Sequence, residues 1–426
     1  GGKWRGCMYG VYELLERYIG WRFFYNKQTD SYLTKDADDA YYLYDSDHVD
    51  IPAGINDTQV PSFAYRQGRY TWYYNYDEHA KLRESRSLRN LSKYNGYGSA
   101  TFSAAVHGFR DAVNAGVIPD YDYGGYDIGS PQPCYNNEEV IEAAKTYFLG
   151  QIEKKIASGY EIGKDITVVD VAQLDSGSFC KCKTCINAIA KERSGVASVL
   201  YFTNEMADAI GEAYPGLWVS MFAYYGTSTP PAKTMPRDNV NVSYCFYNDI
   251  DKLTCGNHTL DGKNCTEHPD DSYGTSNYNY AAEFDRWCQI AKRITVWYYP
   301  GNWALNSITN STIKTMLKDM RYFSDNGVYG IYPCCSNPKK ETDWESIDAL
   351  MLYLYNRLLW NAEMTEEEFQ AEIDDYLYVL YGEGGKFVGD YYKWLETTDR
   401  IGCWPFMIAF GNPCDRTDFA KVRDGF

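Results

Sequence analysis

The chain is poor in histidine and in positive charge, and it contains no long apolar run. It has 5 His among 426 residues, and 58 acidic residues outnumber 41 basic ones, for a formal net charge of −17. Such a surface repels phosphate backbones and anionic lipid headgroups, which attract Lys and Arg. No stretch reaches the roughly 20 apolar residues of a membrane span. We therefore expect no nucleic acid partner and no membrane insertion.

Common catalytic signatures are missing as well. No Gly-rich phosphate or dinucleotide loop follows a predicted strand, and no Ser-His-Asp pattern is evident. The first residues do not read as a signal peptide, and Gly1 stands close to an amphipathic helix. We expect further residues upstream in a larger multidomain surface protein, and no cofactor.

Aromatic residues and cysteines are abundant instead, with 42 Tyr, 11 Trp and 13 Cys. Flat amphipathic side chains suit sugar rings, although tyrosines also serve as ordinary surface and core residues. Many cysteines favour an oxidising compartment, and six Asn-x-Ser/Thr sequons are compatible with one. These features predict a secreted or cell-surface protein with a carbohydrate partner.

Short β-rich runs alternate with helical patterns after Pro61. The predicted strands are 166–171, 217–225, 240–246, 294–299 and 328–332, with weaker candidates at 63–70 and 92–102. The predicted helices are 138–157, 198–213, 281–291 and 313–324. This rhythm is typical of parallel βα units and predicts an α/β fold, a closed (β/α)8 TIM-like barrel, with an open doubly wound sheet as the alternative.

Three regions are predicted along the chain. Residues 1–60 contain an amphipathic helix that ends at Gly20, a short strand and a turn-rich linker, and form the end of a small N-terminal α/β domain. Residues 61–340 form the barrel. Residues 341–426 form a helical region that packs on the barrel, in which Thr365 begins a capping-box pattern.

The segment 168–185, VVDVAQLDSGSFCKCKTC, carries the first catalytic candidate. A strand runs into Asp175 and a Ser-Gly-Ser turn. Catalytic groups of barrels collect at the carboxyl ends of the strands, so we predict that Asp175 is catalytic. The alternative is a loop carboxylate that accepts hydrogen bonds from backbone amides.

Four cysteines are predicted to form a structural cluster. Cys180, Cys182 and Cys185 have metal-like spacing, and Cys134 can supply a fourth thiolate to a tetrahedral zinc site. In an exported protein, two disulfides among these four are the favoured interpretation, and no metal is predicted. Either arrangement would fasten the loops beside Asp175.

Substrate contacts are predicted at aromatic residues that end strands and at two basic residues. The predicted substrate-binding residues are Arg66, His107, Tyr224, Tyr225, Trp297, Tyr298 and Trp303. Strand alternation implies that about half of the aromatic residues point away from the site. Arg66 and His107 are equally compatible with structural roles.

Several segments resemble a known barrel family. They are residues 6–24 (GCMYGVYELLERYIGWRFF), 61–66 (PSFAYR), 132–140 (QPCYNNEEV), 175–185 (DSGSFCKCKTC), and the tail at 358–361 and 380–382. Together they resemble a bacterial glycoside-hydrolase-like (β/α)8 barrel family of unknown function, related to α-glucuronidases and β-hexosaminidase-like enzymes. The resemblance implies hydrolysis of a glycosidic bond in an extracellular polysaccharide or glycan.

The resemblance also implies a role for Asp175. In α-glucuronidases a carboxylic acid after the fourth strand protonates the leaving oxygen, and Asp175 stands at the comparable place. Cleavage requires a second carboxyl group about 5 to 9.5 Å away. Asp249 is the candidate for it, followed by Asp251, Glu341 and Asp343, although each also reads as a solvated loop charge.

The sequence departs from the family pattern at the last strand. Related sequences often have an acidic residue there, whereas this chain has Pro333-Cys334-Cys335. Two other interpretations therefore stay open. One is a non-catalytic carbohydrate-binding barrel or adhesin, and the other is a structural element of a large surface assembly.

Overall fold

A computed structural model of the chain describes residues 6–22, 41–42, 48–66, 106–119, 129–246, 272–298, 313–333 and 348–397. The described strands are β1 (Trp21–Arg22), β2 (Tyr41–Tyr42), β3 (Tyr65–Arg66), β4 (Val168–Asp170), β5 (Trp218–Ala223), β6 (Val240–Cys245), β7 (Arg293–Tyr298) and β8 (Gly330–Pro333). β1 and β2 form an antiparallel pair, and the other six strands form one sheet.

The six-stranded sheet is parallel throughout, with the order β3-β8-β7-β6-β5-β4. Strands β4 to β8 pair in chain order, whereas β3 lies beside β8 through the pairs Tyr65 with Gly330 and Arg66 with Ile331. The sheet curls into an open half-barrel whose edges are β3 and β4.

The predicted closed (β/α)8 barrel is therefore wrong, although the parallel α/β arrangement is present. The parallel sheet has six strands, not eight, in the part of the chain that the structure describes, and it stays open between β3 and β4. The described residues between these two strands form helices and turns. There the amide of Val106 donates to the side chain of Asp170 instead of to a strand backbone. Hydrophobic rhythm predicts βα units, but it does not determine how many strands pair.

Helices cover one face of the sheet, termed here the helix face. The described helices are α1 (Gly6–Leu14), α2 (Phe109–Asn114), α3 (Glu138–Ala157), α4 (Lys183–Glu192), α5 (Ala197–Ala213), α6 (Ser272–Ile290), α7 (Ile313–Asp325), α8 (Asp348–Trp360), α9 (Glu366–Tyr381) and α10 (Gly385–Thr397). Val219 and Met221 of β5 are buried in the same core as Phe202 and Met206 of α5. Because successive strand side chains point to opposite faces, the residues between them face the other side, termed here the inner face.

The inner face begins with a cation–π layer and continues with a polar layer. Near the amino ends of the strands, the guanidinium carbon of Arg293 lies 3.5 Å from the ring centroid of Trp218. In the middle, Asn241 donates to Oγ of Ser220 at 3.1 Å and to Oγ1 of Thr295 at 3.0 Å. These side chains are buried and bonded, so they bind three neighbouring strands together.

The C-terminal helices pack against the N-terminal segment. Arg357 of α8 donates to Glu16 across 2.6 Å, and the amide of Ser62 donates to the carbonyl oxygen of Trp360 at 2.9 Å. The predicted capping box is confirmed, because Thr365 accepts from the amide of Glu368 and Glu368 accepts from the amide of Thr365. None of the described helices has the length and apolar character needed to cross a membrane.

Candidate active site

Asp175 lies at the carboxyl edge of the sheet, a short loop beyond the end of β4. Its side chain is 33% exposed. Oδ1 accepts a hydrogen bond from the hydroxyl of Tyr224 at 3.2 Å and lies 3.9 Å from Nε2 of His107. The structure thus brings together three of the residues predicted from the sequence.

The imidazole of His107 is held in one tautomer. Nδ1 lies 2.5 Å from the carbonyl oxygen of Gln173, and because a carbonyl oxygen can only accept, Nδ1 carries the proton. In the neutral ring Nε2 is therefore an acceptor that faces Asp175. Burial lowers the pKa of His107 and outweighs the opposing effect of the Asp175 charge. The ring is consequently neutral near pH 7.

Asp170, at the end of β4, fixes the turn that presents His107. Its Oδ2 accepts from the amide of Val106 at 2.6 Å, and its Oδ1 accepts from the amide of Ala172 at 2.9 Å. The backbone at Gly108 approaches so closely that a Cβ atom there would lie 2.1 Å from the carbonyl oxygen of Asp170. Burial raises the pKa of Asp170 to about 7, against the effect of the amides. This carboxyl group was not predicted as a site residue.

Gln132 holds the loop that carries Asp175. Its Nε2 donates to the carbonyl oxygens of Leu174 and Ser176 at 2.6 and 2.8 Å, and its Oε1 accepts from the amide of Leu174 at 3.1 Å. The hydroxyl of Tyr135 also donates to Oε1, at 2.8 Å. One buried side chain therefore fixes the backbone on both sides of the carboxylate.

Gln173 connects the Asp175 loop to the loop that follows β5. Its Nε2 donates to Oγ1 of Thr227 at 2.9 Å and to the carbonyl oxygen of Phe222 at 3.1 Å. Oγ1 of Thr227 in turn accepts from the amide of Tyr224 at 3.2 Å. This chain of bonds sets the position of the Tyr224 hydroxyl relative to Asp175.

Tyr225 is the exposed aromatic residue of the site. The residue is 37% exposed, and its backbone is left-handed with φ 52°. The ring lies against Gly177, where a Cβ atom would be 2.5 Å from Cε1 of the ring. His107 also has a left-handed backbone, with φ 57°. Such a conformation is uncommon for residues other than glycine, and sparsely populated backbone conformations concentrate at functional sites.

An aromatic wall of Phe222, Trp297 and Tyr332 lines the inner face beneath the site. The ring centroids of Trp297 and Tyr332 are 4.5 Å apart, and those of Phe222 and Trp297 are 5.4 Å apart. Phe222 also lies 4.7 Å from the ring of His107. All three rings are buried. The wall therefore shapes and rigidifies the floor of the site.

Two other predicted contact residues, Tyr298 and Arg66, lie elsewhere. Tyr298 points to the helix face, where its ring is stacked 6.2 Å from that of Tyr355. Arg66 is buried, and its guanidinium lies 5.3 Å from the ring centroid of Trp360. The structure brings neither residue to Asp175. The positions outside the described residues are Asp249, Asp251, Trp303, Cys334, Cys335, Glu341 and Asp343.

The four clustered cysteines are brought together as predicted. The Sγ atoms of Cys134, Cys180, Cys182 and Cys185 all lie within 4.8 Å of one another. Cys134 Sγ is 3.9 Å from Cys182 Sγ and 3.7 Å from Cys185 Sγ. All four are free thiols, so the favoured disulfide pairing is not formed in the structure. The cluster joins the loop of Gln132 to the loop of Asp175.

Comparison with known proteins gives one family match. Residues 37–393, most of the chain, match the model of the family described as Domain of unknown function (DUF4838). No curated protein matches the chain. The matched residues include the six-stranded sheet and the whole of the site around Asp175.

Proposed function

The chain belongs to the family described as Domain of unknown function (DUF4838), and we propose that it is a glycoside hydrolase. Its substrate is an extracellular polysaccharide or glycan, and Asp175 is the general acid. One observation carries this proposal: a partly exposed carboxyl group lies between the hydroxyl of Tyr224 and the neutral imidazole of His107.

The chemistry assigned to Asp175 is protonation of the leaving oxygen. In its acid form Asp175 holds the proton to be transferred, and the hydroxyl of Tyr224 donates a hydrogen bond to Oδ1. As the bond between the anomeric carbon and the glycosidic oxygen breaks, this proton moves to that oxygen. The neutral ring of His107 places no positive charge beside Asp175. After transfer, the Tyr224 hydroxyl stabilises the carboxylate.

Tyr225 supports recognition of a sugar. Its exposed ring stands beside Tyr224, with 6.2 Å between the ring centroids. The apolar face of a sugar packs on such a ring. The close approach of Gly177 fixes the ring, so little side-chain freedom is lost when substrate binds.

Hydrolysis also needs a second carboxyl group, and we assign this role to Asp249. Asp249 follows β6 in sequence, and the carboxyl ends of parallel strands meet at one edge of a sheet. Asp170 does not suit the role. Both of its oxygens accept hydrogen bonds from backbone amides, which hold the carboxyl group against the chain, where it fixes the turn of His107.

A non-catalytic carbohydrate-binding protein is the second candidate. The observation that favours it concerns Asp170, the acidic residue nearest to Asp175 in sequence. Backbone amides donate hydrogen bonds to both of its oxygens. A site with one available carboxyl group would bind sugar through its aromatic residues without cleaving it.

The deciding experiment compares wild type with Asp175→Asn on a panel of aryl glycosides and polysaccharides. The panel pairs a poor and a good leaving group on the same sugar. A dinitrophenyl group leaves without protonation, so loss of a general acid slows only the poor leaving group. We expect Asp175→Asn to lose turnover of the natural glycan and to retain turnover of the dinitrophenyl glycoside.

Asp390→Asn is the matched control, because Asp390 is exposed on α10. It should leave all rates unchanged. If wild type binds glycan but turns over no substrate, the binding protein is the correct assignment. If wild type turns over substrate and Asp175→Asn is slowed equally on both leaving groups, Asp175 is not the general acid.

A further inference from the structure

The four-cysteine cluster (Cys134, Cys180, Cys182 and Cys185) has the dimensions of a metal centre. Tetrahedral zinc thiolates have Zn–S bonds of about 2.3 Å, which place the sulfur atoms about 3.8 Å apart. The two separations from Cys134 Sγ, 3.9 and 3.7 Å, agree with this value. A disulfide requires an S–S distance of about 2.05 Å. The sulfur atoms are therefore spaced for a shared ion and not for bonded pairs.

Hydrogen-bond donors surround these sulfur atoms. The backbone amides of Asn136, Cys182 and Cys185 donate to the sulfurs of Cys134, Cys180 and Cys182, respectively. The side-chain amide of Asn136 also donates to Cys185 Sγ at 3.2 Å. Such donors stabilise thiolates and orient metal ligands.

The local charge also suits a zinc thiolate centre. Four thiolates around one divalent zinc ion carry a formal charge of about −2. Lys181 and Lys183 are exposed on either side of Cys182 and lie within this segment. Cys182 is the N-cap of α4, where the helix dipole favours negative charge.

We propose that Cys134, Cys180, Cys182 and Cys185 form a closed tetrahedral zinc site that fastens the loop of Gln132 to the loop of Asp175. Binding converts the four thiols to thiolates and releases their protons to water. With four protein ligands no coordination position remains for substrate, so the site is structural. This proposal does not depend on the glycosidase assignment.

The test measures zinc and thiols in the full chain, produced both in a reducing cytoplasm and by export. We expect about one zinc per chain in both preparations, as a four-ligand structural site requires. After denaturation with chelator and alkylation, all four cysteines should carry the alkyl group. Cobalt substitution should produce the intense visible bands of a tetrahedral thiolate centre. Two disulfides without zinc in the exported protein would overturn the proposal.

Cys182→Ser is the first variant, because Cys182 is the exposed member of the cluster. It should lose the bound zinc, and its thermal midpoint should no longer fall when chelator is added. Cys7→Ser is the control, because Cys7 is exposed on α1 outside the cluster. It should keep the bound zinc, and its thermal midpoint should still fall when chelator is added. If Cys182→Ser does not fold, the cobalt spectrum and alkylation pattern of wild type decide the matter. An absence of thiolate bands there counts against the site.

Discussion

Nδ1 of His107 donates to the carbonyl oxygen of Gln173 across 2.5 Å, two residues before the carboxylate that the same ring faces. The segment that carries Asp175 thus also determines which nitrogen of His107 is protonated. Asp170, in the same segment, holds the turn on which His107 stands. The end of β4 and the loop that follows it therefore position both His107 and Asp175.

Replacement of His107 by asparagine tests this pair. Asparagine tolerates a left-handed backbone, so the turn should keep its form. Turnover of glycosides with poor leaving groups should fall roughly tenfold or more, and the alkaline limb of the pH–rate profile, on which a general acid loses its proton, should move, because the neutral ring no longer faces Asp175. His48→Asn is the matched control, since the side chain of His48 is 74% exposed. An unchanged pH profile in His107→Asn would remove His107 from the site.

Asp170→Asn tests the buried carboxyl group. The pKa of Asp170 is about 7 in the folded chain, against roughly 3.9 in an unfolded chain. Its contribution to stability is thus complete below about pH 4 and is lost as the pH rises through 7. Asparagine cannot ionise, but its side-chain NH2 group, which is a hydrogen-bond donor, would face one of the two backbone amides, which are also donors. We expect Asp170→Asn to be more destabilising at pH 5 than at pH 8.

Urea unfolding of wild type and Asp170→Asn at both pH values measures this difference. Asp390→Asn serves again as the control, because an exposed carboxylate should give the same small effect at each pH. A destabilisation by Asp170→Asn that does not change with pH would show that the carboxyl group does not titrate in this range.

Gln132→Met tests the support of the Asp175 loop. Methionine keeps the approximate length of the side chain but leaves the carbonyls of Leu174 and Ser176 without their donor. Leaving buried acceptors unsatisfied costs about 1–3 kcal/mol, so the free energy of unfolding should fall by that amount. Amide hydrogen exchange should rise at residues 174–178. Gln151→Met on α3 should change neither quantity, and equal exchange in both variants would contradict the assignment.

The central strands were predictable because buried parallel strands are short apolar runs. The five clearest predicted strands match β4 to β8 to within two residues at each end. α3 begins and ends where predicted, since Asn137 caps it and apolar residues recur at helical spacing. α6 starts earlier than predicted because its first residues, SYGTSNYNY, show no apolar periodicity. The number of paired strands depends on long-range contacts, which a local pattern does not contain.

The site was predictable only in part, for a similar reason. Asp175 and Tyr224 stand at or just beyond the carboxyl ends of strands, and this position can be predicted from the sequence alone. Gln132 and Gln173 act through bonds to backbone atoms, and such bonds leave no periodic signal. Trp297 and Tyr298 are equivalent in sequence, and only the register of β7 determines that Trp297 alone faces the inner side.

The pairing of β3 with β8 has a consequence for how the protein is made. Tyr65 and Gly330 are separated by more than half of the chain, so this edge of the sheet cannot form until β8 has left the ribosome. Strands β4 to β7 can pair earlier, because each new strand joins the one before it. Contacts of such long sequence separation slow folding, and an edge that waits for its partner is exposed to aggregation. Docking of β3 onto β8 is therefore a late step of biosynthesis, and it completes the six-stranded sheet.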